Sequence, residues 1–241
     1  MKQASYIEGA IVSNEIFGRK ISFFVTDKND VIQRWHADGR FYEEEELAII
    51  SEFFPRGGVF VDVGANVGNH TIFVAKYLYP KDIILFEPNP QTVPLLMFNI
   101  SLNDLREVVD LSHLGVGLSD TEGKAQTWAP PGNLGATRLR ASNGADGLPL
   151  IRGDDVLMGR QIDFIKIDVE GMEMKILSGL CGTIARWRPS MFIEVENVNV
   201  EAFIEWANSY AYQVLRKYRR YKANENYIVV PVEACGSPLQ R

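Results

Sequence analysis

The chain has 241 residues, 46% of them apolar and 23% charged, with a formal net charge of −6. Such a length and composition suit one α/β domain with a modest extension, large enough to bury a core without disulfides or metals. The acidic balance weighs against a nucleic-acid partner, and no apolar run reaches the length that spans a bilayer, so no membrane partner is expected either.

Two cysteines, Cys181 and Cys235, lie far apart and without metal-ligand spacing, which predicts a reduced, cytoplasmic protein. The first residues, MKQASYIEGA, lack the basic-then-apolar pattern of a signal peptide. A homodimer is left open by the sequence.

In chain order, the segment from Tyr6 to about Val31 alternates apolar and polar residues around Gly18 and reads as a hairpin. The sequence divides into this β extension (1–40), a main domain (41–235) and a frayed tail (236–241). Tyr42 to Phe54 reads as a helix, with acids crowding its first turn as the helix dipole favours. An alternation of strand and helix follows. Val59–Val63 is a strand, Val67–Tyr79 a helix, Ile83–Phe86 a strand and Pro90–Leu102 a helix. Val108 to Leu118 gives a third strand region. Thr121 to Gly153, rich in Gly, Pro, Asn and Ser, predicts a loop or small ribbon near the site. Ile162–Val169 is a strand, Met172–Leu180 a helix, Met191–Val195 a strand and Glu201–Ser209 a helix. Tyr212–Tyr218 and Tyr227–Pro231 close the chain as an antiparallel pair. The basic run Arg216, Lys217, Arg219, Arg220, Lys222 lies at their turn and reads as a solvated hairpin. Continuous apolar strands separated by helices predict a parallel sheet covered on both faces.

Ligands of such sheets bind at the carboxyl ends of the strands. There the first strand of the alternation runs into VFVDVGANVGNHT, where Gly64 and Gly68 allow a sharp turn and a close ligand approach. Asp62 is placed to meet a positively charged amino group or a water. The second strand ends in Glu87, whose carboxylate can accept hydrogen bonds from both ribose hydroxyls, with Pro88 beside it. The third ends in Ser119 and Asp120, placed to recognise an adenine edge. The turn G-A-N-V-G lacks the G-x-G-x-x-G spacing that seats a pyrophosphate. S-adenosylmethionine, which has no phosphate, fits better than a dinucleotide.

Further along, Lys166, Asp168 and Glu170 alternate with apolar residues and share one face of a strand. Buried charge without partners is costly, so a site or a paired network explains them. A structural Lys166–Asp168 ion pair and a catalytic one carry equal weight. Glu194 and Glu196 repeat the pattern on the next strand. The resulting carboxylate cluster suits magnesium, and hydrogen bonds to a substrate account for it equally well. Among the histidines, His36 is the best base outside the carboxylates, while His70 reads as helix packing and His113 as structural. Asn133 to Leu139 reads as a mobile lid carrying Arg138.

These segments resemble the FkbM-type methyltransferase family. The matching pieces are VFVDVGANVGNHT, LFEPNP with the later Asn99 and Asn103, GLSDTEG, NLGATRL, IDFIKIDVEGMEMKILSGL and FIEVEN, in order from about Phe41 to Asn197. Arg152-Gly153 before Asp155 departs from the family's usual apolar-Asp-Asp pattern. The resemblance implies a Rossmann-like class I methyltransferase fold, α/β with a seven-stranded, mostly parallel sheet and a terminal antiparallel pair. It implies S-adenosylmethionine as cofactor and O-methylation of a small molecule, sugar or glycan. Asp62, Gly64, Asn66, Gly68, Glu87 and Asp120, with Asn69, Pro88 and Ser119 beside them, would line the cofactor site. Asp168, Glu170, Lys166 and Glu194 would face the reacting centre. A cofactor-binding module without catalysis and a nicotinamide-dependent oxidoreductase are the alternatives. Substrate choice is expected to involve the N-terminal strands.

Overall fold

A computed structural model describes residues 7–142 and 147–236. The expected frayed tail, from 237 onward, lies outside the described residues, as do residues 143–146 of the expected ribbon.

The chain begins with a hairpin of β1 (Ala10–Ile16) and β2 (Arg19–Val25), then α1 (Gln33–Ala37) and α2 (Glu44–Phe53). The alternation follows as β3 (Val59–Val63), α3 (Asn69–Phe73), β4 (Asp82–Phe86), α4 (Val93–Leu102) and β5 (Val109–Asp110). Next come β6 (Gly117–Ser119), β7 (Gly123–Trp128), β8 (Arg138–Ala141), β9 (Leu148–Arg152) and the short helix α5 (Asp154–Leu157). Finally β10 (Phe164–Ile167) leads through α6 (Glu173–Gly179) and α7 (Cys181–Trp187) to β11 (Ser190–Glu196), α8 (Val200–Ser209), β12 (Tyr212–Tyr218) and β13 (Asn224–Pro231).

The main sheet has seven strands in the order β12-β13-β11-β10-β3-β4-β5, parallel except where β13 pairs antiparallel with β11 and β12. This is the expected Rossmann-like methyltransferase sheet. Its two faces carry two separate cores because side chains alternate along each strand. Phe60, Ile83, Leu85, Phe164 and Phe192 pack on one face, and Val61, Val63, Ile84, Ile165 and Ile193 on the other.

One expectation splits. The third strand region forms only a two-residue strand, β5, in the main sheet, while β6 belongs to a four-stranded side sheet ordered β6-β9-β7-β8. A single run of apolar residues thus serves two sheets, and periodicity alone does not show the break. The helix expected from Val67 begins at Asn69 and passes into a π-helical turn over Val74–Leu78.

The N-terminal hairpin is packed into the same core as the sheet through Ile16, Ile21, Phe23 and Val25. The edge of β2 is held by Asn99 of α4 and Asn103 just past its end. The Phe24 amide donates to Asn99 Oδ1 at 2.7 Å and the Ser22 amide to Asn103 Oδ1 at 3.0 Å, while Asn103 Nδ2 returns a bond to the Ser22 carbonyl at 2.7 Å. No helix among the described residues is long and apolar enough to cross a membrane.

Candidate active site

The face of the sheet that carries Phe60, Phe164 and Phe192 turns charged toward the carboxyl ends of the same strands. Asp62 follows Phe60, Lys166 follows Phe164 and Glu194 follows Phe192, each two residues further on, with Asp168 two beyond Lys166. The strand register sets Lys166 beside Asp62. Above this rim lies a cavity of about 480 Å³ whose wall comes from β3, β4, β10, β11, the α1–α2 segment and the 133–139 loop.

At one end the turn after β3 dominates. Gly64 has φ +83, and a β-carbon there would lie 1.9 Å from the Asp168 carbonyl oxygen. Its bareness brings the ends of β3 and β10 together, and the ligand approach expected of it is secondary. Glu87 closes this end and is 5% exposed. One carboxylate oxygen accepts from the Asn66 amide and the other from the Asn89 amide, both at 2.7 Å. Burial pushes Glu87 up and those amides pull it back. Each oxygen keeps a lone pair, so the carboxylate can still accept from a diol in the cavity. Asn66, Asn69 and Pro88 join it on the wall, with Phe86, Leu118 and Leu139 supplying apolar surface for a flat ring. Apolar wall residues beside a braced carboxylate suit the adenosyl half of S-adenosylmethionine.

Four residues expected at the cofactor stand elsewhere. Asp62 is fully buried and off the cavity wall, its Oδ1 turned to Lys166 Nζ at 3.1 Å and its Oδ2 to Thr71 Oγ1 at 2.7 Å, so it does not face a ligand. Gly68 precedes α3, and its nearest neighbour is Leu96. Ser119 packs its carbonyl against Gly179 of α6 and gives its hydroxyl to Asp120 at 3.0 Å. Because β6 leaves the main sheet, Ser119 and Asp120 do not reach the cavity wall; Gly117 and Leu118 take their place.

The other end of the cavity gathers Lys166, Asp168, Glu170 and Glu194, as expected, and adds Glu43, His70 and Tyr221. Lys166 also donates to the Gly64 carbonyl at 3.1 Å and lies 3.5 Å from Asp168. Burial works against its charge, but Asp62 and Asp168 outweigh it and hold Lys166 above the ordinary lysine range. One oxygen from each of Asp168, Glu170 and Glu194 falls within 4.8 Å of the others. Burial and Asp168 push Glu170 up to about 7 and Glu194 up to about 10. Arg138 does not line the cavity; it pairs with Glu196 and lies 3.9 Å from Glu170 at the rim.

His36 is not the base it was expected to be. It is fully buried, stacked on Phe23 at 3.9 Å, and bonded through Nε2 to Asn69 Oδ1 at 3.1 Å. Burial lowers it to about 4. Its ring instead steadies Asn69, which clamps the Tyr42 backbone with bonds of 2.8 and 2.9 Å. This clamp presents the next residue, Glu43, to the cavity in a left-handed conformation, φ 58. In the sequence Glu43 is one of four consecutive acids and reads as dipole stabilisation. The signal that separates it is that the others lie within α2, while Glu43 precedes it. The β12–β13 turn covers this end: Tyr221 bonds the Tyr42 hydroxyl, and Arg220 bonds Glu45 and Glu46. Part of the basic run is therefore a clamp.

The profile of the Methyltransferase FkbM domain matches residues 62–221, more than half of the chain. The hexuronic acid methyltransferase AglP of Haloferax volcanii is 24% identical over 173 residues, covering 70% of this chain and 68% of AglP. Methyltransferase sdnD of Sordaria araneosa is 30% identical over 161 residues, 52% of this chain and 61% of its own. Among solved structures, a protein of the NADB-Rossmann superfamily from Streptococcus agalactiae superposes with a TM-score of 0.50 at 14% identity, over 78% of this chain and 67% of its own. That likeness speaks for the fold alone. The chain belongs to the FkbM family of S-adenosylmethionine-dependent methyltransferases.

Proposed function

We propose that the protein transfers a methyl group to a hydroxyl of a sugar or glycan. The observation that carries this reading is the chemistry of the cavity end opposite Glu87. It is lined with carboxylates, which accept hydrogen bonds, and a histidine, which can donate one, and a polyhydroxylated acceptor both offers and takes such bonds. The relation to a hexuronic acid methyltransferase supports the substrate class.

S-adenosylmethionine supplies an activated methyl group, so the protein's tasks are to align the acceptor and relieve its hydroxyl of a proton. Glu87 and the Asn66 turn fix the nucleoside end. Asp168, Glu170 and Glu194 hold the acceptor by its hydroxyl hydrogens. The Asp62–Lys166 pair braces the two central strands from beneath. The lining segment 133–139 covers the junction of the two halves.

The test is methyl transfer from isotopically labelled S-adenosylmethionine to a panel of methyl glucoside, glucuronic acid and N-acetylglucosamine. The expected product is an alkali-stable methyl ether located by NMR. Label appearing only as an alkali-labile ester or on nitrogen would overturn the reading. The assay is run with magnesium and with EDTA, because clustered carboxylates are also the donors a hard cation prefers.

A further inference from the structure

Of the four cavity carboxylates beyond Glu87, two face cations and a third faces other acids. Asp168 lies 3.5 Å from Lys166. Glu170 stands at the rim, 3.9 Å from Arg138. Glu194 is crowded by Asp168, Glu43 and Glu170 and, with burial, stays protonated at neutral pH. Glu43 differs, since the group facing its carboxylate at close range is a neutral one. His70 Nε2 lies 3.9 Å from Glu43 Oε2, too far for a hydrogen bond. That Nε2 is buried and has no hydrogen-bond partner among the described residues, on a side chain 7% exposed that lines the cavity. A buried polar atom left without a partner asks for an explanation, and a ligand group between the two side chains supplies one.

We propose that Glu43 and His70 form the proton-accepting pair of the reaction, with the acceptor hydroxyl bridging the gap between them. The proposal rests on the hydroxyl-methylation reading above. His70, as the Nε2–H tautomer, donates to the hydroxyl oxygen and orients its free lone pair toward the methyl carbon. The hydroxyl donates to Glu43 Oε2. As the oxygen–carbon bond forms, the O–H bond breaks and its proton passes to Glu43. The carbon–sulfur bond breaks with its electrons going to sulfur, which leaves as the neutral thioether. Burial, with Asp168 and Glu46, outweighs Lys166 and Arg220 and pushes Glu43 up to about 8, near the value at which a base both exists and accepts a proton close to neutrality. Burial and Lys166 hold His70 well below the ordinary histidine range, so it remains a neutral donor.

The test compares Glu43→Gln, Glu43→Asp and His70→Gln with the wild type in the labelled-methyl assay, alongside calorimetric titration with S-adenosylhomocysteine. Loss of a general base predicts a kcat reduced about 10²-fold or more in Glu43→Gln, with partial recovery in Glu43→Asp. His70→Gln, which keeps a donor, is expected to raise KM several-fold and lower kcat less. All three are expected to bind S-adenosylhomocysteine within twofold of wild type, which also shows that they fold. Wild-type kcat in Glu43→Gln overturns the pair, and so does loss of S-adenosylhomocysteine binding, which would make Glu43 part of the cofactor seat. A wild type that labels none of the hydroxyl probes but labels an amine instead overturns the underlying reading and the pair with it.

Discussion

The two ends of the cavity handle buried charge in opposite ways. At the nucleoside end a single carboxylate, Glu87, is braced by two backbone amides from turns adjoining its own strand and the next. At the acceptor end Glu43, Asp168, Glu170 and Glu194 crowd together with Lys166 the principal cation among them, and burial and mutual repulsion push three of the four upward. The braced end is preorganised to hold a constant ligand. The crowded end is left short of partners in the free protein, and an acceptor that brings hydroxyl hydrogens supplies them. Binding energy there is set aside for the reacting group.

Between the ends stands the Asp62–Lys166 pair, and breaking it is expected to have the largest effect. Lys166→Met would leave Asp62 fully buried with only the Thr71 hydroxyl. Removing one partner of a buried pair costs about 3–5 kcal/mol, so thermal unfolding should move down by many degrees before any question of activity arises. An unchanged Tm would mean that the pair contributes nothing to holding β3 against β10. At the nucleoside end, Glu87→Gln keeps an acceptor for one amide and loses the charge. S-adenosylhomocysteine affinity is expected to fall roughly 10- to 100-fold, the worth of one or two hydrogen bonds to a charged group. Calorimetry that finds less than a threefold change would remove Glu87 from the cofactor seat.

The crowded end gives a pH signature. The folded pKa values of Glu170 and Glu194, about 7 and about 10, lie above the ordinary carboxylate value of 4.5, so the folded state binds more protons than the unfolded chain between those limits. Stability therefore falls as pH rises from about 5 toward 10. Glu194→Gln, which cannot ionise, is expected to gain stability at pH 9, by up to about 1.4 kcal/mol for each pH unit above the ordinary carboxylate value, and next to nothing at pH 4, read from urea unfolding at both. An equal shift at both pH values would mean that packing, and not charge, is being altered.

How much of each end was legible in the sequence follows from the same contrast. The strand–turn–helix over Val59–Thr71 and the acid closing the next strand are local patterns, and both stand where the sequence places them. The parallel sheet and its terminal antiparallel pair are readable from apolar runs, while the count of seven strands comes from the family resemblance. Asp62 turns away from the cavity because its partner, Lys166, lies 104 positions away and holds it in the buried interior, which local sequence does not reveal. Ser119 and Asp120 were misread because one apolar stretch divides between two sheets. His36 looked exposed in a polar segment, yet Phe23 and Asn69, from two other elements, enclose it. Glu43 and His70 were passed over because each has a sufficient local explanation, helix dipole and helix packing. Only the fold brings them within 3.9 Å of each other.

The smallest expected effect tests whether the side sheet takes part in the crowded end. Arg138, on β8, reaches across to Glu196 and Glu170 from a position nearly half exposed. Exposed ion pairs contribute roughly 0–1 kcal/mol, so Arg138→Ala should leave the Tm almost where it was. Its charge nevertheless opposes the upward push on Glu170. Without it Glu170 should titrate higher and carry less charge near neutrality, which weakens its hold on an acceptor hydroxyl. The expected result is a KM for the sugar probe raised about two- to fivefold with kcat unchanged, the pattern of a contact made equally in the ground and transition states. A fall in kcat with KM unchanged would instead place Arg138 at the reacting centre, and the division between a braced end and a crowded end would have to be redrawn around the 133–139 loop.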